Sequence, residues 1–166
     1  MNPQDSTDPN VDSWVIATSA DGHRAHVYRT EKDALLGMTT FATGAGARYF
    51  DSAGAPLAPT LGRAGDVQAL RPAGGPGQAT AVLDRLHAVV ARVPEVARQH
   101  PEAVAEHLAE RGVTLEELLA GLPRLDGTDL SQTLRLCQSI LGPHEMDDDR
   151  QHSAGFWHNL LVHGIG

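Results

Sequence analysis

Two rhythms divide the chain. From Trp14 to Pro72 the apolar residues come in short β-branched and aromatic runs, broken by Asp, Gly and Pro. From Ala79 onward they recur every three or four residues. The first rhythm is that of strands and the second that of amphipathic helices. In the first half, "WVIATS" and "RAHVYR" flank Asp21-Gly22, a pair suited to the positive φ of a tight hairpin. Trp14, Ile16 and Thr18 then share one face, and His26 and Tyr28 share a face of the partner strand. Thr30 can cap a helix whose first turn carries Glu31 and Asp33, where the dipole favours negative charge. Ala34, Leu35, Met38, Phe41 and Ala42 continue it at helical spacing, and "TGAGA" ends it. "RYFDSAGAPLAP" reads as a strand, a Gly turn and a Pro-flanked edge segment, with "DVQALRP" as one more short strand.

The stretch "RPAGGPGQ" at 71–78 marks the change of rhythm. Val82, Leu83, Leu86, Val89, Val90 and Val93 then form an apolar stripe. Pro94 interrupts it. Pro101 opens a further helix where its missing N–H costs nothing, and Gly112 can end that helix in the left-handed conformation. Thr114 and Glu117 have the spacing of a capping box, with Val113 and Leu118 as its hydrophobic staple. Leu130, Leu134, Cys137 and Leu141 line one side of another helix, stopped at Gly142-Pro143. The expected fold is α+β: a small antiparallel sheet with one helix (ββαββ), followed by a bundle of four to five helices. By domains, 1–12 is a disordered tail, 13–72 the antiparallel half, 73–78 a Gly/Pro linker and 79–166 the helical half. A small sheet with one helix is marginal alone, so the halves are expected to pack as one domain.

The last segment, 143–163, also fits a helix. Pro143 takes its first position, Glu145, Asp147 and Asp148 its first turns, and His158 and His163 its end, as the dipole favours. Met146, Ala154, Trp157, Leu160 and Leu161 supply the apolar face. On such a helix His144, Asp148 and His152 share one edge. Adjacent members could hold one divalent metal ion. The outer two are about 12 Å apart, so a further ligand such as His107 would be needed. "HEMDD" differs from the zinc-peptidase HExxH in having Asp148 where the second His belongs.

Composition narrows the function. The chain has 166 residues and a formal net charge of −8. Lys32 is the only lysine, and the Ala- and Arg-rich composition is that of a high-GC bacterial genome. Cys137 is the only cysteine, so neither an intramolecular disulfide nor a Cys-rich zinc site can form. Falling on an apolar stripe, it reads as a packed, inert thiol. The polar start lacks a signal-peptide pattern and no run is long enough to span a membrane. A cytoplasmic protein is expected. A phosphate-binding GxxxxGK[ST], a GxGxxG after a strand and a GxSxG elbow are all missing.

The segment "LAERGVTLEELLAGLPRL" resembles the central helix-loop-helix of LysM modules over those residues alone. LysM flanks this unit with strands. Here "RQHPEAVAEH" and "SQTLRLCQ" carry helical patterns, so no glycan binding is inferred. The same helix pair has helix-turn-helix spacing, but its second helix offers Glu116 and Glu117 to a polyanion. Glu102, Glu106 and Glu110 make an acidic ladder. With Asp147 and Asp149 they are the candidate contacts for a basic protein partner.

The leading expectation is a non-enzymatic protein-binding protein, an adaptor or an immunity- or antitoxin-like neutraliser. The alternatives are a small metal-dependent enzyme using the last helix and, third, a DNA-binding regulator. If the stripes at 82–93 and 130–141 exceed what one chain buries, they form a homodimer interface.

Overall fold

The computed structural model describes residues 13–21, 23–41, 47–64 and 67–142, together with Trp157 and Leu160; on the first helix, side chains are described as far as Leu36. The fold is α+β. Five strands come first, interrupted by one helix: β1 (Val15–Thr18), β2 (Ala25–Tyr28), α1 (Glu31–Phe41), β3 (Arg48–Asp51), β4 (Pro56–Leu61) and β5 (Val67–Pro72). Helices follow: α2 (Ala79–Ala91), α3 (Val93–Gln99), α4 (Pro101–Arg111), α5 (Leu115–Ala120), α6 (Leu130–Leu136) and α7 (Gln138–Leu141). The exposed segment 73–78 joins the two sets, with Gly74 and Gly75 at positive φ.

The sheet is antiparallel throughout, in the order β2-β1-β3-β4-β5. It has one strand more than the ββαββ pattern, because "DVQALRP" pairs with β4 from Leu57 to Leu61. Contrary to the sequence expectation, the Pro-flanked β4 is not the edge. It pairs with β3 at Leu57 and Pro56 and with β5 from Leu57 to Leu61. The proline signal was still physically sound. Pairing with β3 ends at Leu57, so Pro59 lies where no strand is present on that side to miss its N–H.

Both faces of β1 and β2 are buried, all eight residues. Trp14, Ile16, Ala25, Val27 and Phe50 pack with Val82, Leu86, Val89, Leu134, Cys137 and Ile140 in one core cluster. Val15, Ala17, Tyr28, Tyr49 and Leu70 pack with Ala34 of α1 on the other face. The sheet is thus a middle layer, with α1 on one side and α2, α6 and α7 on the other. Full burial of a Val or Leu contributes roughly 1.5–3 kcal/mol, so the shared cluster is a large part of what holds sheet and helices together.

The local signals act as expected. The Asp33 N–H donates to Thr30 Oγ1 at 3.2 Å, and Gly112 ends α4 with φ 66°. The Thr114–Glu117 capping box makes both of its bonds. A second box, Asp129 with Gln132, starts α6 in the same way. Pro94 does more than interrupt: the chain breaks at Arg92, and Pro94 sits in the first turn of α3. The helix expected through 141 breaks at Cys137, giving α6 and α7. Helices stand on both sides of the α4–α5 pair, so the LysM arrangement is absent there. Of the terminal helix's expected apolar face, Leu160 is buried with Val96, Ala97 and Val104, and Trp157 packs against both that group and the main cluster.

Candidate functional site

The residues with chemistry fall into separate places. His144, Asp147, Asp148, Asp149 and His152 lie outside the described residues. His107 is half-buried on α4. Among the described residues no group of three or more His, Cys, Asp and Glu side chains is placed to hold a metal ion. Cys137 is fully buried, and burial pushes its thiol up to about 12, so at neutral pH it is protonated and packed.

Two constellations have the residue types of catalysis. The first is the turn between β1 and β2. There the Ser19 hydroxyl donates to Asp21 Oδ1, the His23 N–H donates to the same oxygen at 2.9 Å, and the Arg24 N–H donates to Ser19 Oγ at 3.1 Å. The Ser19 hydroxyl and the His23 amide, with smaller contributions from the His23 and Arg24 side chains, hold the Asp21 carboxyl below its usual range. From α2 and the residue after it, Arg85 donates to Ser19 O at 3.4 Å and Arg92 to His23 O at 2.9 Å. Ser19, Asp21 and His23 do not form a nucleophilic triad. The serine proton points to the carboxylate rather than to an imidazole, and His23 Nδ1 is 4.0 Å from Asp21. The arrangement locks the hairpin turn and fastens it to α2.

The second constellation is His87, Thr128 and Thr133. The two hydroxyl oxygens are 2.7 Å apart, and His87 Nε2 is 3.4 Å from each. Thr128 donates to Leu125 O at 2.6 Å. One proton assignment satisfies every group: His87 Nε2–H donates to both hydroxyls, Thr133 donates to Thr128, and Thr128 donates to the carbonyl. In that assignment the imidazole Nε2 is a donor to both hydroxyls. Thr133 is fully buried, so no substrate reaches it. This is a polar latch tying α2 to the start of α6. Sequence reading passed over it because its partners are 41 and 46 residues apart. The Arg85 and Arg92 contacts, at 66 and 69 residues, were hidden in the same way.

What remains is an acidic surface on α3, α4 and α5. Between Val93 and Gly121 there are six glutamates (Glu95, Glu102, Glu106, Glu110, Glu116 and Glu117) against Arg98 and Arg111, a balance of four negative charges and half of the net −8. Arg98 pairs with Glu116 at 3.4 Å, both exposed. Glu117 is engaged in the capping box. Glu102, Glu106 and Glu110 are exposed on successive turns of α4 and carry no ion pair among the described residues. The exposed face of α5 presents Glu116 and Glu117, the reverse of what a DNA backbone attracts. No helix among the described residues is long and apolar enough to cross a membrane.

No protein-family model, no curated protein and no solved structure matches the chain.

Proposed function

We propose that this chain is a protein-binding module that captures a basic partner through the acidic face of α4. The observation that carries this reading is the exposed Glu102–Glu106–Glu110 ladder, left without countercharge among the described residues. Like charges at i and i+4 cost a helix a few tenths of a kcal/mol, and of the three only Glu102 stands in the first turn, where the dipole favours it, so the repulsion at Glu106 and Glu110 is not offset within the helix. A partner bearing Lys or Arg would relieve that repulsion and be steered to the face by its field. The turn at Ser19–Arg24 and the His87 latch support the reading from the other side, since their polar groups are spent on holding the fold.

The test is affinity capture from the native host with the wild-type chain and with Glu102→Gln/Glu106→Gln/Glu110→Gln. A partner of basic isoelectric point should be held by the wild type, be released by salt, and be lost with the triple variant. Recovery of no specific partner, or equal recovery by both chains, overturns the reading.

A further inference from the structure

Thr18 closes β1 and Arg48 opens β3, and the two are register partners. Thr18 shares a face with Ile16 and Arg48 shares one with Phe50, so both stand on the side of the sheet that packs against α2. From α2, Arg85 reaches the same corner and donates through Nη1 to the Ser19 carbonyl at 3.4 Å. Two guanidinium groups thus come to one end of β1. The chain has 21 acidic residues, yet among the described residues neither of these arginines forms an ion pair. Asp21, on the adjoining turn, accepts from the Ser19 hydroxyl and the His23 N–H instead. Thr18 supplies an independent observation at the same corner. It is 1% exposed, and its hydroxyl has no hydrogen-bond partner. Buried hydroxyls are nearly always bonded, because one without a partner has lost its water for nothing.

A cleft adjoins Arg48. The pairing of β3 with β4 ends at Tyr49↔Leu57. The Asp51 N–H bonds to the Ala55 carbonyl, so the pairs that exchange hydrogen bonds along this ladder are 51 with 55, 49 with 57 and then 47 with 59. Pro59 has no N–H for that exchange, and the strands part there. The cleft between them holds about 210 Å³, and its lining includes Arg48, Phe50, Pro56, Leu57, Pro59 and Gln78. Among the described residues that line it, Arg48 is the only charged one. Pockets for drug-sized ligands hold roughly 300–1,000 Å³, so this one takes a smaller body.

We propose that this corner binds a small organic carboxylate. Arg48 and Arg85 hold the carboxylate, the Thr18 hydroxyl is a third donor to it, and the apolar body lies in the cleft between β3 and β4. A guanidinium presents paired N–H donors that match the two oxygens of a carboxylate. Arg85 gives one of its five donors to Ser19 and has others to offer. The anion neutralises two charges that the fold leaves uncompensated and gives the Thr18 hydroxyl its partner. The apolar walls favour an organic acid over a bare inorganic ion. The site is separate from the acidic face of α4 and does not rest on it.

Benzoate is the probe, with benzyl alcohol as its neutral counterpart and inorganic phosphate as the bare anion. Each is titrated into the full chain at constant ionic strength and followed by backbone amide shifts. Benzoate should saturate at millimolar concentration, shift the amides of Thr18, Arg48 and Arg85, and bind at least about ten-fold more tightly than either control. Arg48→Gln should weaken benzoate by about ten-fold or more, the scale of one charge-assisted hydrogen bond. Thr18→Val removes the hydroxyl and keeps the branched shape. It should weaken benzoate while leaving the urea midpoint unchanged or higher, since no bond inside the fold is lost. The proposal is overturned if benzoate does not saturate or shifts only amides elsewhere. It is equally overturned if benzyl alcohol or phosphate binds as tightly, if either variant keeps the wild-type affinity, or if Thr18→Val lowers the urea midpoint.

Discussion

Gly54 and Ala79 meet backbone to backbone. A β-carbon placed on Gly54 would lie 2.5 Å from the Cα of Ala79, and Gly54 itself has φ +83°. Its carbonyl accepts the Gln78 N–H at 2.8 Å, while the turn before it is held by Asp51 Oδ1, which accepts the N–H groups of Ala53 and Ala55. The β3–β4 turn is therefore seated on the first residue of α2, and this contact sets where the helical half begins.

Gly54→Ala should be among the most destabilising single changes in the chain, by roughly 2–4 kcal/mol, since it adds a backbone clash to an unfavourable φ. Gly74→Ala is the control. Its φ is +75°, but a β-carbon there meets nothing within 4 Å, so only the conformational cost of about 1 kcal/mol applies. Urea unfolding of the two variants measures the difference, and equal losses would show that the contact with Ala79 does not matter.

Thr133→Val should cost about 1–3 kcal/mol, because it removes the fully buried hydroxyl that contacts both Thr128 and His87 and leaves those two with only each other and the Leu125 carbonyl. Thr128→Val alone should also destabilise. If the three groups form one latch, the double variant loses clearly less than the two single losses added together. A double-mutant cycle in urea provides this check, and additive losses would mean that the hydroxyls act separately.

Stability should fall on the alkaline side. Burial raises the Cys137 thiol to about 12, and burial raises the Tyr28 and Tyr49 phenols above their ordinary range. In the unfolded chain a thiol releases its proton near about 8.5 and a phenol near about 10. Above those values the unfolded chain binds fewer protons than the native one, so rising pH favours unfolding. The stability these groups contribute is complete below about pH 8.5 and declines progressively toward pH 12. Denaturant midpoints measured at intervals from neutral pH upward should decrease. In the same range the native thiol should resist alkylation and react on unfolding, and rapid native labelling of Cys137 would contradict its placement.

Glu106→Gln should leave the fold intact and raise its stability by a few tenths of a kcal/mol at low salt, because Glu106 is flanked one turn away on each side by Glu102 and Glu110. The gain should vanish in high salt, where exposed charges are screened. Thermal melts at two ionic strengths test this. A loss of stability would instead give the ladder a structural role.

The helical half was the more legible. The capping box at Thr114, the terminator Gly112 and the stripe of Val82, Leu86, Val89 and Val90 are signals carried by residues three or four apart, and the folded chain uses them as the spacing implies. The box at Asp129 and Gln132 was open to the same reasoning, with the same three-residue offset, but was missed. The strands were less legible in which faces they bury. Alternation says that Trp14 and Ile16 share a face, and they do, but residues on the opposite face, such as Val15 and Tyr28, are buried as well. Only the arrival of α1 on one side and α2, α6 and α7 on the other decides that.

The candidate site divides in the same way. The exposure of Glu102, Glu106 and Glu110 follows from their common helical edge. The metal edge at His144, Asp148 and His152 lies outside the described residues, and of its partners only His107 is placed. The contacts that spend the polar groups of the turn and the latch join residues from 41 to 69 positions apart, and the bond from the Leu70 N–H to Glu31 Oε1 spans 39. By itself the sequence determined what one helical turn or one strand pair can encode: caps, breaks, stripes and the α+β class. The tertiary structure decided which polar groups are spent inside the fold and which stay exposed. A hydrogen bond between distant residues is set by how whole layers pack, and no local periodicity carries that information.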